Sequence, residues 1–123
     1  AIMSIAHITL LTKDIIPFKE FFIKTLHWQP IEKPGNIAVT AAWLQIAPGQ
    51  ELHILENKEF DSLKFEQEYG RHIAIRWPEQ EFESLKQRLT QHGAEIITAK
   101  RPTSFARFFF RSPDNYVFEV VPL

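Results

Sequence analysis

One pattern of apolar and polar residues occurs twice in this chain, once in each half. The two halves align when His7 is laid on His72, and in the same alignment His27 falls on His92 without a gap. Internal repetition of a unit of this size indicates that neither copy buries its apolar face alone. A chain of 123 residues has room for one domain, so we predict a single domain over residues 1–123 built from both copies.

Each half is predicted to contain one helix and several short strands. Apolar β-branched runs predict the strands, and bulky apolar residues at a spacing of three and four predict the amphipathic helices. The predicted elements are, in chain order, a strand at 5–12, a helix at 15–27, strands at 36–40, 42–47 and 51–56, a strand at 71–77, a helix carrying Phe82, Leu85 and Leu89, and strands at 94–98, 105–111 and 116–121. Module one therefore covers about 4–56, a charged connector covers 57–70, and module two covers about 71–122.

The charge and composition of the chain exclude several classes of partner and site. With 14 basic and 15 acidic side chains the formal net charge is −1, so no summed field attracts nucleic acid or an anionic membrane, and a small molecule is the expected partner. The absence of cysteine limits any metal site to nitrogen and oxygen ligands. The sequence has no run of about 20 apolar residues and no signal-peptide pattern, and we expect a cytoplasmic protein.

Four ionisable residues stand at equivalent positions of the two halves and suggest a metal site. They are His7, His53, His72 and Glu119. Each has apolar neighbours in a predicted strand, so strand alternation points its side chain away from the apolar layer. Taken singly, a strand histidine is more often structural and a glutamate near the end of a chain is usually solvated. The shared repeat position and the shared sheet face favour the metal-ligand interpretation for the group.

The sheet face that the helices leave free can curl into a cleft, and aromatic and basic residues near this predicted cleft are candidates for substrate contacts. The aromatic candidates are Trp43, Phe105, Phe109 and Tyr116. Arg107 belongs to a basic group with Lys100, Arg101 and Arg111. Charges on a strand are usually solvated, so solvation is the first interpretation of this basic group. Binding of an anionic substrate group by these side chains is the alternative hypothesis.

Four segments carry a resemblance to a known family. The segments AHITLL, ELHILE, RHIAIR and SPDNYVFEVV, in this order, resemble the vicinal oxygen chelate superfamily of glyoxalase, bleomycin resistance and extradiol dioxygenase proteins, and in particular its glyoxalase I-like members. The resemblance covers nearly the whole chain. It implies an α+β fold in which two βαβββ modules form a curved mixed-sheet cup around a metal ion. It also implies a homodimer, in which the metal cup can draw one module from each chain.

The resemblance implies a ligand set and a reaction type. In glyoxalase I-like members the ligands come from the same four strand positions, and this chain departs from them by having His53 where a glutamate is common. Three histidines and one carboxylate suit a divalent metal ion: iron, nickel, zinc or manganese. Four protein ligands leave two open positions, which suits a substrate that chelates through neighbouring oxygens. The implied chemistry is that of a lyase or isomerase similar to lactoylglutathione lyase, with Glu119 as the candidate base.

Two other interpretations stay open. If His53 is not a ligand, three positions on the metal are free, and the resemblance then implies an extradiol dioxygenase or a fosfomycin-type thiol transferase. The rival from another class is a metal-free protein that binds or sequesters a small molecule, as bleomycin-binding relatives do. In that case the aromatic candidates line the cleft, and removal of the histidines leaves ligand affinity nearly unchanged.

Overall fold

The first half of the chain folds into a four-stranded sheet with one helix. The computed structural model describes residues 3–123, and its first unit ends at Asp61. The elements of this unit are β1 (His7–Thr12), α1 (Ile15–Thr25), β2 (Gln29–Ile31), β3 (Ala41–Ala47) and β4 (Gln50–Glu56). The strand order is β1-β4-β3-β2, with β1 parallel to β4 and the other neighbours antiparallel.

The second half repeats this topology. Its unit begins at Ser62 and contains β5 (Ile73–Trp77), α2 (Phe82–Gln91), β6 (Glu95–Ile97), β7 (Phe108–Arg111) and β8 (Val117–Pro122), with 3₁₀ turns at Glu79–Glu81 and Pro113–Asn115. The strand order is β5-β8-β7-β6, and β5 is again parallel to β8. The predicted α+β fold class with two βαβββ modules is confirmed. A single domain over 1–123 stays a prediction, and its first two residues, Ala1 and Ile2, lie outside the described residues.

The second strand of the first unit lies earlier in the chain than predicted. Residues 36–40 form no strand, so the strand predicted there is wrong, and β2 occupies the edge of the sheet. It pairs with β3, with Ile31 opposite Trp43. Pro30 has no amide hydrogen to donate, which an edge strand tolerates and a central strand does not. An edge strand of 3 residues that contains proline is too short to show apolar alternation.

Both helices end at a residue with a left-handed backbone. His27 follows α1 with a φ of 59°, and Gly93 follows α2 with a φ of 91°. Glycine adopts this conformation without steric cost and commonly ends helices, whereas histidine adopts it only occasionally. The helices have 11 and 10 residues, and α1 ends two residues before the predicted end at position 27. Within residues 3–123, no helix is long and apolar enough to cross a membrane.

The core of the first unit lies on the face of its sheet that α1 contacts. Its most deeply buried side chains are Phe18, Phe22, Leu44, Leu52 and Ile54. Burial alternates along β4, where Leu52 and Ile54 are buried while Glu51 and His53 are half-buried. Alternation therefore turns Glu51 and His53 to the opposite face of the sheet.

The core of the second unit has the same organisation. Its most deeply buried side chains include Leu85, Leu89, Phe110, Phe118 and Val120. Phe110 and Phe118 lie opposite each other on β7 and β8, with stacked rings whose centroids are 5.0 Å apart. Glu119 lies between Phe118 and Val120 on β8 and points to the other face. This is the orientation that strand alternation predicts for Glu119.

The predicted connector divides between the two units. At its start, Asn57 donates its backbone N–H to the carbonyl oxygen of Thr12 at 2.8 Å, within the first unit. Further on, the carbonyl oxygen of Glu66 accepts a hydrogen bond from Nη1 of Arg111 at 2.8 Å, within the second unit. Residues 62–70 are therefore part of the second unit and do not form a free linker.

Candidate metal centre

In the second unit two predicted ligands, His72 and Glu119, lie side by side. His72 directly precedes β5, and Glu119 lies on the neighbouring strand β8, opposite Ala74. The ring nitrogen Nε2 of His72 is 3.3 Å from Oε1 of Glu119, and the two side chains are 26% and 13% exposed. The parallel pairing of β5 with β8 thus brings together two residues that are distant in the sequence.

The surroundings of the His72 ring determine which nitrogen faces Glu119. Nδ1 lies 3.1 Å from the carbonyl oxygen of Gly70, and the ring makes an edge contact with Phe109 at a centroid distance of 5.2 Å. A carbonyl oxygen only accepts hydrogen bonds, so in this contact Nδ1 carries the ring proton and its N–H donates a hydrogen bond to the carbonyl oxygen of Gly70. If the imidazole is neutral, Nε2 has a lone pair and no proton, and it faces a carboxylate oxygen of Glu119 that can only accept a hydrogen bond. Two acceptors at this distance require a proton or a cation between them.

The distance between these two atoms fits a shared metal ion. Divalent metals bind imidazole nitrogen and carboxylate oxygen at about 2.0–2.2 Å, so adjacent ligand atoms on one metal are about 3.0–3.5 Å apart. The 3.3 Å between Nε2 of His72 and Oε1 of Glu119 lies in this range. A metal-binding histidine usually donates its other ring N–H to a carbonyl or carboxylate oxygen, as His72 does to Gly70. Both the geometry and the donor types therefore fit a divalent metal.

Arg107 is buried beside two carboxylates, which corrects the interpretation of its charge as solvated. It directly precedes β7, and its side chain is 3% exposed. Nη1 donates to Oε2 of Glu119 at 3.1 Å, and Nη2 donates to Oε2 of Glu68 at 2.9 Å. Nη2 also donates to the carbonyl oxygen of Arg101 at 2.7 Å. Arg111 is buried as well, so solvation is the wrong interpretation for both arginines.

Arg107 remains a cation in this position. Burial acts to lower the pKa of Arg107, but the hydrogen bonds and charges of Glu68 and Glu119 outweigh burial and raise the pKa above its usual value. The guanidinium also lies over the ring of Phe109, 5.2 Å from its centroid. Nε of Arg107 is buried and has no hydrogen-bond partner among the described residues. The charge of Arg107 is thus taken up by two carboxylates and not left free for an anionic substrate.

Glu68 completes this cluster and is not among the sequence candidates. It lies in the predicted connector and accepts hydrogen bonds from the backbone N–H groups of Lys100 and Arg101 and from Arg107. The hydrogen bond from the Lys100 N–H is the main cause that lowers the pKa of Glu68 to about 2; those from Arg101 and Arg107 add to it, and burial opposes it. The sequence has no signal for this role, because nothing in its spacing separates Glu68 from the other connector carboxylates.

The lowered pKa of Glu68 predicts a pH dependence of stability. A carboxyl group whose pKa is lower in the folded state stabilises the fold above its unfolded pKa and loses that contribution as the pH falls. For Glu68 this window runs from the ordinary value of 4.5 down to about 2. We expect Glu68→Gln to be less stable than the wild-type chain at neutral pH, and the difference to shrink as the pH falls through this window. Urea unfolding across the window measures it, and a difference that stays constant contradicts the prediction.

In the first unit, the ring of His53 lies between those of His7 and Trp43. The centroids of His7 and His53 are 4.0 Å apart with planes at 18°, and those of Trp43 and His53 are 3.8 Å apart with planes at 17°. The register explains this arrangement. Trp43 of β3 lies directly opposite His53 of β4, and His7 lies on β1 two residues before Thr9, which is opposite His53 on the other side. Three rings therefore stack on the sheet face that points away from the core.

Nε2 of His53 has a protein partner. Oε1 of Glu51, two residues earlier on the same strand face, lies 2.8 Å from this nitrogen. Glu51 also lies opposite His7 in the pairing of β1 with β4. Strand alternation contains the signal for this residue, since positions i and i+2 share a face, although Glu51 is not among the sequence candidates. The stack and the Glu51 contact favour a supporting role of His53 beside His7.

The predicted ligands occur as two pairs, one in each unit. His7 and His53 are in contact in the first, and His72 and Glu119 are in contact in the second. Over residues 3–123, no group of three or more histidine, aspartate or glutamate side chains is arranged to hold a metal ion. The assignment of these four residues to one metal therefore stays a prediction.

The predicted substrate contacts differ in exposure. Phe109 is fully buried, and it packs with Ile97 and Val117. Phe105 is 45% exposed, and Tyr116 is half-buried after the second 3₁₀ turn. Trp43 is half-buried in the stack with His53. Of these four, Phe105 has the surface best suited to contact another molecule, and their role in substrate binding stays a prediction.

Comparison with known proteins places this geometry in context. A model of the Glyoxalase/Bleomycin resistance protein/Dioxygenase superfamily matches residues 4–120. The fosfomycin resistance protein FosX from Listeria monocytogenes is similar in structure, with a TM-score of 0.80 and 24% identity over 100% of this chain and 93% of that chain. FosX from Mesorhizobium loti has a TM-score of 0.75 and 17% identity, over 98% of this chain and 92% of that chain.

Some of the similar structures contain Mn(II). A variant of FosX from Listeria monocytogenes, crystallised with Mn(II) and 1S,2S-dihydroxypropylphosphonic acid, has a TM-score of 0.76 and 27% identity, over 98% of this chain and 90% of that chain. A sequence search of curated proteins finds no significant match. The structural similarity to these fosfomycin resistance proteins thus extends over essentially the whole length of both chains.

Proposed function

Because the chain belongs to the glyoxalase/bleomycin resistance protein/dioxygenase superfamily, we propose that it is a metal-dependent enzyme whose small substrate binds the metal through two neighbouring oxygen atoms. The observation that carries the proposal is the contact between Nε2 of His72 and Oε1 of Glu119, whose separation of 3.3 Å fits two ligand atoms on one metal ion. The cluster of Glu68, Arg107 and Glu119 has two carboxylates and one guanidinium, an excess of one negative charge. A divalent cation bound between His72 and Glu119 would compensate this excess negative charge.

We assign His72 and Glu119 as ligands. We add His7 because it occupies the position in the first half of the sequence that His72 occupies in the second. A bound divalent metal supplies Lewis acid chemistry by polarising a substrate oxygen. The protein keeps its ligands oriented, since Gly70 fixes the ring of His72 and Arg107 holds the second oxygen of Glu119. That hydrogen bond opposes movement of the carboxylate, so we assign Glu119 as a fixed ligand in preference to a mobile base.

The contacts of His53 favour three protein ligands over four. Its Nε2 is paired with Glu51, and its ring is held against Trp43, so the side chain is suited to position His7. Three ligands are compatible with an extradiol dioxygenase and with an enzyme of the fosfomycin resistance type, and the structural similarity to FosX favours the second. The dihydroxypropylphosphonic acid bound by the FosX variant carries hydroxyl groups on neighbouring carbons, which supports a vicinal-oxygen substrate. Because Arg107 is neutralised by Glu68 and Glu119, we assign it no contact with a substrate phosphonate.

Proton transfer of the lactoylglutathione lyase type is the second candidate. It requires His53 as a fourth ligand, and one observation favours it. The ring contact of His53 with His7, at 4.0 Å between centroids, brings a further nitrogen donor next to an assigned ligand. The number of protein ligands therefore distinguishes the two candidates.

Mn(II) titrations of metal-free protein test the ligand number. We expect His7→Ala to weaken Mn(II) binding more than about 100-fold, and His53→Ala to weaken it about 10-fold, since supporting residues contribute about 10- to 100-fold. His92→Ala, at the exposed end of α2, is the matched histidine control and should bind as the wild-type chain does. Equal losses in the first two variants favour four ligands and the lyase, whereas unchanged affinity of His7→Ala contradicts the ligand assignment.

A further inference from the structure

We propose that Glu68 is a positioning residue of the metal centre, which acts on the ligand Glu119 through Arg107. The inference rests on the proposed metal site and adds to it a residue from a segment that the sequence marks only as a connector. Two sets of contacts lead from Glu68 to the guanidinium of Arg107. One is direct, and the other runs through the backbone of residues 100 and 101.

The direct contact joins two carboxylates through the two ends of one guanidinium. Nη2 of Arg107 donates to Glu68 at 2.9 Å, and Nη1 donates to Glu119 at 3.1 Å. The side chains of Arg107 and Glu68 are 3% and 6% exposed, so water does not readily replace a lost partner. Because the guanidinium is planar and rigid, the position of Glu68 determines where Nη1 presents its N–H to Glu119.

The second set of contacts holds the loop before β7. The carboxylate of Glu68 accepts the backbone N–H groups of Lys100 and Arg101. The carbonyl oxygen of Arg101 in turn accepts a hydrogen bond from Nη2 of Arg107 at 2.7 Å. Glu68 therefore fixes both the guanidinium and the backbone acceptor beside it. Glutamine has only one acceptor oxygen and adds an NH₂ group that faces these donors, so it cannot replace all of these bonds.

The consequence for the metal follows from the two oxygens of Glu119. Arg107 holds Oε2, and Oε1 faces Nε2 of His72. A shift of Arg107 turns the carboxylate and moves Oε1 away from the position it shares with His72. Without the charge of Glu68, Glu119 is the one carboxylate of the described residues left beside the guanidinium of Arg107, and the two attract each other more strongly. The guanidinium then competes with a metal ion for the carboxylate of Glu119. Both effects weaken metal binding without removing a ligand.

Glu95 provides a matched control for Glu68. It is a carboxylate of the same unit, and its Oε1 accepts a hydrogen bond at 3.3 Å from Nε of Arg111, the other buried arginine near β7. This pair does not include Glu119 or His72. The substitution Glu95→Gln therefore removes the same charge from a buried arginine without acting on an assigned ligand.

The experiment compares Mn(II) affinities of metal-free wild-type chain, Glu68→Gln, Glu68→Asp and Glu95→Gln by isothermal titration. We expect Glu68→Gln to raise the Kd about 10- to 100-fold, Glu68→Asp to raise it less, and Glu95→Gln to leave it unchanged. The electron paramagnetic resonance spectrum of bound Mn(II) should change in Glu68→Gln, because the arrangement of the ligands changes. Circular dichroism and urea unfolding of each metal-free variant show whether the affinities are compared for folded protein. The resonance spectrum is the second control, because lower stability alone does not change the spectrum of the bound Mn(II).

The outcomes separate this inference from the function on which it rests. If the wild-type chain binds Mn(II) and Glu68→Gln binds it equally well, or if Glu68→Gln and Glu95→Gln lose the same affinity, the role of Glu68 is overturned and the metal site is kept. If the wild-type chain binds neither Mn(II) nor iron(II), nickel or zinc, the proposed function and this inference are both overturned. If Glu68→Gln does not fold, the aspartate variant decides, and unchanged affinity in that variant overturns the inference.

Discussion

His72→Ala is expected to raise the Kd for Mn(II) by more than about 100-fold, because loss of a ligand exceeds the about 10- to 100-fold cost of losing a supporting residue. The substitution removes the Nε2 atom that lies 3.3 Å from Oε1 of Glu119. It leaves the bonds of Arg107 to Glu68 and Glu119 intact. His72 lies outside the strands and is partly exposed, so the fold is retained. Calorimetric titration of metal-free protein with Mn(II) measures the change.

Two further variants control this result. Glu119→Gln keeps the shape of the side chain but replaces a charged ligand by a neutral amide, so it should also raise the Kd for Mn(II). Arg71→Ala changes the exposed residue next to His72 in the chain and should bind Mn(II) as the wild-type chain does. A Kd for His72→Ala equal to that of the wild-type chain would show that His72 is not a ligand, whatever the result for Glu119→Gln.

Phe118→Ala is expected to lower the free energy of unfolding by about 3–5 kcal/mol. The side chain of Phe118 is 0% exposed, and its ring stacks on that of Phe110 at 5.0 Å between centroids and 8° between planes. Truncation removes this apolar contact and leaves a cavity, because a close-packed core relaxes only in part. Equilibrium unfolding in urea at neutral pH measures the loss.

Phe105→Ala is the matched control for the core variant. Phe105 is 45% exposed, and its truncation is expected to change the free energy of unfolding by less than about 1 kcal/mol. The difference between the two phenylalanines tests the arrangement of β8, in which Phe118 faces the core and Glu119 faces the site. Similar losses in the two variants would contradict that arrangement.

The features predicted correctly from the sequence are those that depend on local periodicity. Alternation around Glu119 indicates that its neighbours Phe118 and Val120 are buried, and both are at 0% exposure. Helical spacing likewise predicts both helices, and the repeat predicts that the two sheets share one topology. These patterns can be recognised in the sequence because each depends only on residues within a few positions of one another in the chain.

The features that the sequence did not predict depend on contacts between distant segments. Glu68 and Arg107 are 39 residues apart, and neither the burial of the arginine nor the role of the glutamate is visible from nearby residues. The edge strand at Gln29–Ile31 is short and contains a proline, so its pairing with β3 decides its structure. Glu51 is a different case, because its position two residues before His53 on one strand places both on the same face.

The metal content of the chain, purified without chelators or a polyhistidine tag, tests the central claim most directly. Elemental mass spectrometry is expected to find close to one divalent metal ion per chain, as isolated or after reconstitution with manganese, iron, nickel or zinc. The pair formed by His72 and Glu119 should then account for it, with the metal lost in His72→Ala. Protein that retains none of these metals after reconstitution contradicts the account and supports a metal-free protein that binds a small molecule.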